Sequence, residues 1–330
     1  MLTIIYDKDG KTATSQDPTL ISRLLSAPNM PFWVDLESPT PDEFQILQDP
    51  FHFHRLAIEE AQTPTHIAKV DEYESYVFLT LDEISLNLDI STPETRNLDA
   101  NDRVKSREMS VFLGPNYLVT IHIEPVEVIK HLRNSCDRNH RVLEHGADYL
   151  LYNLMDTLVD GYFPMMEALD DALDDLEDRI IGKSTPEILQ TILTMKRVLN
   201  LLRRHVGPAR EVLQALTMRE FPCVQEKSLP YFRSVSDHLY RIYESLDNYR
   251  DIMSTMLDAY LSQVSNNMNR VMQKLSVVAT VFLPITFITS LFGMNFAKQP
   301  WINTNFWYWA LGMVALAIAT YIWFRKHKWV

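Results

Sequence analysis

The chain has 330 residues, of which 31 are Lys or Arg and 43 are Asp or Glu, giving a net charge of −12. That balance argues against a nucleic-acid partner and suits cations, although acidity also serves solubility. Its two cysteines, Cys136 and Cys223, are too few and too isolated for a disulfide framework or a thiolate metal site, which fits a reducing compartment and speaks against a catalytic thiol.

Met1–Gly10 carries Asp7 and Asp9 where a leader would be basic and then apolar, so no cleavable signal is expected. Residues 1–145 read as a soluble α/β domain. Residues 4–6, 32–34, 76–81, 109–113 and 117–121 are β-branched and aromatic runs bounded by turn residues, with Gly114-Pro115-Asn116 as a hairpin turn. Segments 17–26, 40–48, 54–62 and 125–140 have helical character, the second opened by Thr40-Pro41-Asp42-Glu43. Glu83 to Ser106 is polar and without period, so a strand end followed by an exposed, mobile loop is expected there.

Residues 146–230 form a helical hairpin. Leu150, Leu154, Leu158, Met165, Leu169, Leu173, Leu176 and Ile180 recur at helical steps, with a bend expected at Gly161 and Pro164. The other face is acidic: ten carboxylates lie between Asp148 and Asp178, with no Lys or Arg. Like charges at that spacing destabilise a helix unless cations or basic partners offset them. After Ser184-Thr185-Pro186-Glu187 comes a basic helix with Lys196, Arg197, Arg203, Arg204 and Arg210. Either the two helices neutralise each other or the acidic face collects cations, and the two readings are compatible.

From Tyr231 to Phe292 there is no Gly and one Pro, Pro284, so residues 231–292 can form a single helix of roughly 90 Å. Two uncharged runs, 275–292 and 306–324, are each near the roughly 20 residues needed to cross a bilayer. Arg270 and Lys274 precede the pair, Arg325, Lys326 and Lys328 follow it, and Lys298 alone lies between. Both termini, including the basic tail 325–330, are therefore expected in the cytoplasm and the loop 293–305 outside.

Along the long helix Asp258, Ser262, Ser265, Asn269, Met272, Ser276, Ala279, Leu283, Thr286, Ser290 and Gly293 follow at steps of three and four, a seam of mostly small or polar residues. Such a seam either lets membrane helices pack closely or lines a water-filled axis shared by several copies, with Met272 and Leu283 as apolar constrictions and Asp258 as a carboxylate ring at the cytosolic mouth. Pro284 frees the carbonyl of Thr280, a defect tolerated where water or a hydroxyl can satisfy it.

The tripeptide Gly293-Met294-Asn295 stands at the external end of the first span. Together with Asp258 to Asn266, Asn269-Arg270-Val271-Met272, Phe282 to Ile288, Asp148 to Tyr152 and Pro230 to Arg233, it makes the sequence resemble the CorA family of magnesium and cobalt transporters over essentially its whole length. The resemblance implies a funnel-shaped homopentamer in the inner membrane, with an α/β cytosolic domain, a long-helix bundle and two C-terminal transmembrane helices. It implies that Asn295 and the Gly293 carbonyl meet the hydrated ion, that Asn269, Met272, Leu283 and Thr286 line the pore, and that Leu275, beside Ser276, forms the apolar neck. It further implies regulation by Mg²⁺ held between cytosolic domains. The family's stalk aspartate falls on Ser234, which makes Asp237, with Asp82 or Glu83, the expected substitute.

Zinc is the alternative cargo, with His52, His54, His66 and His122 as candidate ligands, although His-Phe-His lacks helical spacing and a companion thiolate. A membrane-tethered sensor or scaffold is the alternative of a different class. No nucleophile–base pair with supporting context points to an enzyme. Lys298 stands where many relatives carry acidic residues.

Overall fold

The computed structural model describes residues 1–8, 10–27, 29–88, 99–139, 141–182, 185–294 and 306–327. They group into two compact units, Met1–Arg179 with Thr185–Met256, and Ile180–Ser184 with Leu257–Val330.

The first unit is built on a seven-stranded sheet: β1 (Leu2–Lys8), β2 (Lys11–Ser15), β3 (Phe32–Glu37), β4 (Lys69–Glu72), β5 (Val77–Leu86), β6 (Val104–Leu113) and β7 (Tyr117–His122), in the order β2-β1-β3-β7-β6-β5-β4. Every pairing is antiparallel except β3 with β7. The central strands are buried on both faces, which is why they read as continuous apolar runs. Ile4, Val34, Phe78, Phe112 and Val119 share one core with Ile21 and Leu24 of helix Thr19–Leu25 and Ala57 and Ile58 of helix Arg55–Gln62. The opposite face packs against helix Ala147–Asp160 and the basic helix Pro186–Met218.

Edge strands β2 and β4 went unread in the sequence because they are short and polar, Lys-Thr-Ala-Thr-Ser and Lys-Val-Asp-Glu. The loop expected over 83–106 is shorter than that. Glu83 pairs with Arg107 in register and the ladder runs on to Leu86 opposite Val104, so cross-strand pairing carries polar residues that have no apolar period. Helix Ala100–Arg103 follows, and the mobility expected for this loop concerns 89–98, outside the described residues. In segment 40–48 the α-helix is confined to Gln45–Gln48. Thr40 and Glu43 form a reciprocal capping box ahead of it, at 2.9 and 3.3 Å. In the turn after β6, the Gly114 N–H donates to the Tyr117 carbonyl at 2.9 Å, and a Cβ on Gly114 would sit 2.1 Å from the Tyr117 ring. Glycine is therefore required there by contact.

The acidic stretch breaks at Gly161 into helices Ala147–Asp160 and Tyr162–Gly182. Asp148 does not belong to its charged face. The residue is 1% exposed, and its carboxylate accepts the N–H groups of Tyr149 and Gln225, both at 3.0 Å. Two cations of the basic helix turn to the long helix and not to the acidic one: Arg203 pairs with Asp247 at 3.1 Å and Arg210 lies over the Tyr243 ring. Its buried stripe, from Ile188 to Leu216, leaves these arginines beside the long helix. Among the described residues, the ion pair made by the acidic helix is its own Asp175–Arg179.

The long helix Leu229–Phe292, which belongs to the second unit from Leu257 onward, runs through Pro284 without a break, and Phe306–Lys326 forms the last helix. Both are long and apolar enough to cross a membrane.

Candidate ion pathway and cytosolic carboxylates

The seam residues Asp258, Asn269, Met272, Leu275, Ser276, Ala279, Leu283, Thr286 and Ser290 are all exposed on the single chain. The covered side of the same helix is marked by Val277, buried, and by Val281, Pro284 and Ile288, half-buried. This side is displaced by one residue, about 100° round the helix, from Ser276 and Leu283. On the last helix Ala310, Met313, Ala317, Thr320 and Phe324 form the matching less exposed stripe. The small and polar seam is thus left for something other than the chain's own second span. Apolar Val278, Phe282 and Phe287 are equally exposed and are suited to lipid.

Hydroxyls beside the seam satisfy the helix backbone. Thr280 Oγ1 donates to the Ser276 carbonyl at 2.8 Å and Thr289 Oγ1 to that of Ile285 at 3.0 Å. At the helix end the Gly293 N–H donates to the Thr289 carbonyl at 3.0 Å and the Met294 N–H to that of Leu291 at 3.4 Å, so both residues extend the last turn. A Cβ on Gly293 would meet only ordinary contacts, the nearest 3.4 Å away. Among the described residues nothing demands glycine there. Asn295 lies outside the described residues.

The three candidate regulatory carboxylates differ in how far they are committed. Glu83 is engaged: it accepts the N–H groups of Glu127 and Val128 at 3.3 and 2.9 Å, capping the helix Glu127–Arg138, and pairs with Arg107 at 3.3 Å. Asp82 is 3% exposed, with Oδ2 3.1 Å from His205 Nδ1. Asp237 is exposed on the long helix in a recess also lined by Arg210, Arg233 and Tyr240.

The histidines considered for zinc do not assemble. His54 Nδ1 accepts the Leu56 N–H at 3.2 Å, His52 lies 3.5 Å from Asp49, and His122 lies 3.3 Å from the buried Asp35. His66 alone among them meets two carboxylates, Asp82 and Glu108, a grouping that sequence separation concealed. Burial pushes the Cys136 thiol up to about 12 and the Cys223 thiol up to about 11, so both stay protonated at neutral pH.

A family model described as CorA-like Mg²⁺ transporter protein matches residues 30–326. The cobalt/magnesium transport protein CorA of Thermotoga maritima is 33% identical over 91% of this chain and 84% of its own. The zinc transport protein ZntB of Yersinia pseudotuberculosis is 25% identical over 98% of this chain and 95% of its own. The complete structure of the CorA magnesium transporter from Methanocaldococcus jannaschii matches with a TM-score of 0.81 at 20% identity, covering 100% of this chain and 99% of that one, which is a likeness of fold.

Proposed function

This chain belongs to the CorA-like Mg²⁺ transporter family, a divalent-metal transporter of the membrane and not an enzyme, and from that premise we propose that it is a homopentameric, channel-type transporter of Mg²⁺ and Co²⁺ in the inner membrane, with both termini cytoplasmic. The observation that carries the reading is the uncharged seam from Asn269 to Gly293, left exposed by the chain's own second span. One copy per subunit around an axis makes a pore of hydroxyls and amides, with Asp258 at its cytosolic mouth and Met272, Leu275 and Leu283 as apolar constrictions able to gate by dewetting. Mg²⁺ dehydrates reluctantly. The neutral oxygens of Gly293 and Asn295, with Met294 between them, can accept hydrogen bonds from its water shell without trapping it. No phosphate-binding loop is present in the sequence, so membrane potential is the driving force.

Uptake of Mg²⁺, Co²⁺ and Zn²⁺ into proteoliposomes, compared with and without a pH gradient, tests the reading. Mg²⁺ and Co²⁺ fluxes that follow membrane potential are expected. Zn²⁺ flux that needs the pH gradient, with no Mg²⁺ flux, would instead assign the chain to zinc, the cargo in the name of the Yersinia relative.

Regulation rests on Asp237 with a carboxylate of a neighbouring subunit. Arg210 and Arg233 share the recess of Asp237 and oppose a lone bound cation, so a second carboxylate is needed. Of the two partners expected from the sequence, Glu83 is engaged within its own subunit and Asp82 is 3% exposed, so an exposed carboxylate of the neighbouring subunit completes the site. Mg²⁺ held between subunits keeps the assembly closed. Asp237→Ala is expected to raise uptake at high internal Mg²⁺ at least about fivefold, the lower end of ordinary allosteric coupling, and to weaken Mg²⁺ protection from proteolysis. Unchanged protection removes Asp237 from the site.

A further inference from the structure

In the antiparallel pairing of β5 with β6, Asp82 stands directly opposite Glu108. Their side chains are 3% and 4% exposed. Facing carboxylates at cross-strand distance repel each other, and removing both from water makes the repulsion more expensive. Among the described residues their ion-pair partners are histidines: His66 Nδ1 lies 3.8 Å from Asp82 Oδ1 and 4.0 Å from Glu108 Oε2, and His205 lies against the other oxygen of Asp82. Glu108 is pushed above the usual carboxylate range by burial, with the Asp82 charge acting in the same direction. The buried Asp82 Oδ1, which faces His66, has no hydrogen-bond partner among the described residues. A site of two buried carboxylates, one unpartnered oxygen and one imidazole lacks positive charge.

The surroundings hold this geometry. His66 adopts a positive φ of 53°, and its backbone N–H donates to Glu108 Oε2. The Tyr162 hydroxyl donates to the Asp82 carbonyl at 2.8 Å, fixing the strand from behind. The three candidate ligand atoms lie within 4.8 Å of one another. Bonds of about 2.0–2.1 Å in a tetrahedral site set ligand atoms about 3.3 Å apart, so small side-chain movements close the observed spacing. His66 is half exposed, which gives a metal a way in and leaves a coordination position open to water.

We propose that His66, Asp82 and Glu108 form a transition-metal site within each subunit, with His205 orienting Asp82 as its outer partner. Imidazole with two carboxylates suits Zn²⁺ or Co²⁺, whereas Mg²⁺ favours an all-oxygen shell that keeps its waters. The site is independent of the pore and of which ion the pore carries. The competing arrangement is His66 bridging the two carboxylates with no metal.

The test is Co²⁺ titration of the full-length, metal-stripped protein in detergent at pH 7.5, read by visible absorption. The expected result is an intense four- or five-coordinate band saturating at one Co²⁺ per chain, displaced by Zn²⁺ and insensitive to excess Mg²⁺. His66→Ala and Glu108→Gln are expected to abolish the band, and His205→Gln to weaken Co²⁺ binding about tenfold or more. The half-exposed position of His66 makes its variant safe to fold, so it decides the matter even if Glu108→Gln does not express. A band unchanged in His66→Ala, or only the weak spectrum of hexaaquo Co²⁺ in the parent protein, overturns the site. Neither readout depends on transport, so failure here leaves the pore reading untouched.

Discussion

Asn295→Ala is expected to lower Mg²⁺ uptake into proteoliposomes by about 100-fold or more while leaving the assembly intact. A hydrogen bond to a charged species is worth about 1.5–3 kcal/mol net, and each 1.4 kcal/mol is tenfold, so losing the equivalent of two acceptors for the ion's water shell reaches that figure. In the proposed ring each subunit contributes one amide, so the substitution removes all of them. In the seam below, the apolar constrictions Met272, Leu275 and Leu283 offer no oxygen that could replace it at their level. Gly293 and Met294 complete the helical turn at the end of the seam. The measurement is initial Mg²⁺ uptake at fixed membrane potential, with oligomer size determined on the same preparation. Unaltered uptake sinks the channel mechanism and favours the membrane-tethered sensor.

How much of this could be read beforehand depends on whether a signal was local. The spans were legible because a run such as Leu275–Phe292 contains no charge, and the seam because Ser276, Thr286 and Ser290 interrupt that apolar sequence at helical steps. Strands β3, β5 and β7 announced themselves by burial on both faces. What stayed hidden was pairing between distant segments. The register that sets Asp82 opposite Glu108 follows from ladder formation and not from spacing. One clue was present: Asp82 and Glu83 interrupt the otherwise apolar run of β5, where a carboxylate must find partners. Asp148 was counted as a surface charge because helical spacing places it on the acidic side, yet the chain returning at Gln225 buries it. Of the two readings left open for the acidic and basic helices, mutual neutralisation is not what Arg203 and Arg210 do: they meet Asp247 and the Tyr243 ring of the long helix.

Arg133→Met is expected to destabilise the cytosolic unit by about 3–5 kcal/mol, the usual consequence of removing one partner from a buried charge pair. Asp35 is 1% exposed in the middle of the sheet and accepts hydrogen bonds from Arg133 at 2.9 Å and from the Thr120 hydroxyl at 2.6 Å, which in turn accepts the Trp33 indole N–H at 2.9 Å. His122 supplies the remaining compensation. Burial by itself would lower its pKa, but the bond and charge of Asp35, helped by the Glu124 carbonyl at 2.7 Å, raise it above the ordinary histidine value. A raised histidine contributes stability that is fully present below its unfolded value of about 6.5 and is lost as pH rises through the folded value. In the parent protein Arg133 balances Asp35 at every pH, so this loss is modest. Without Arg133 the imidazolium is, among the described residues, the one cation left paired with Asp35, and the deficit should therefore be smallest near pH 5.5 and grow towards pH 8.5. Urea denaturation at both pH values checks this. A deficit that is the same at both removes His122 from the charge balance, and one below about 1 kcal/mol means that water reaches Asp35 despite its burial.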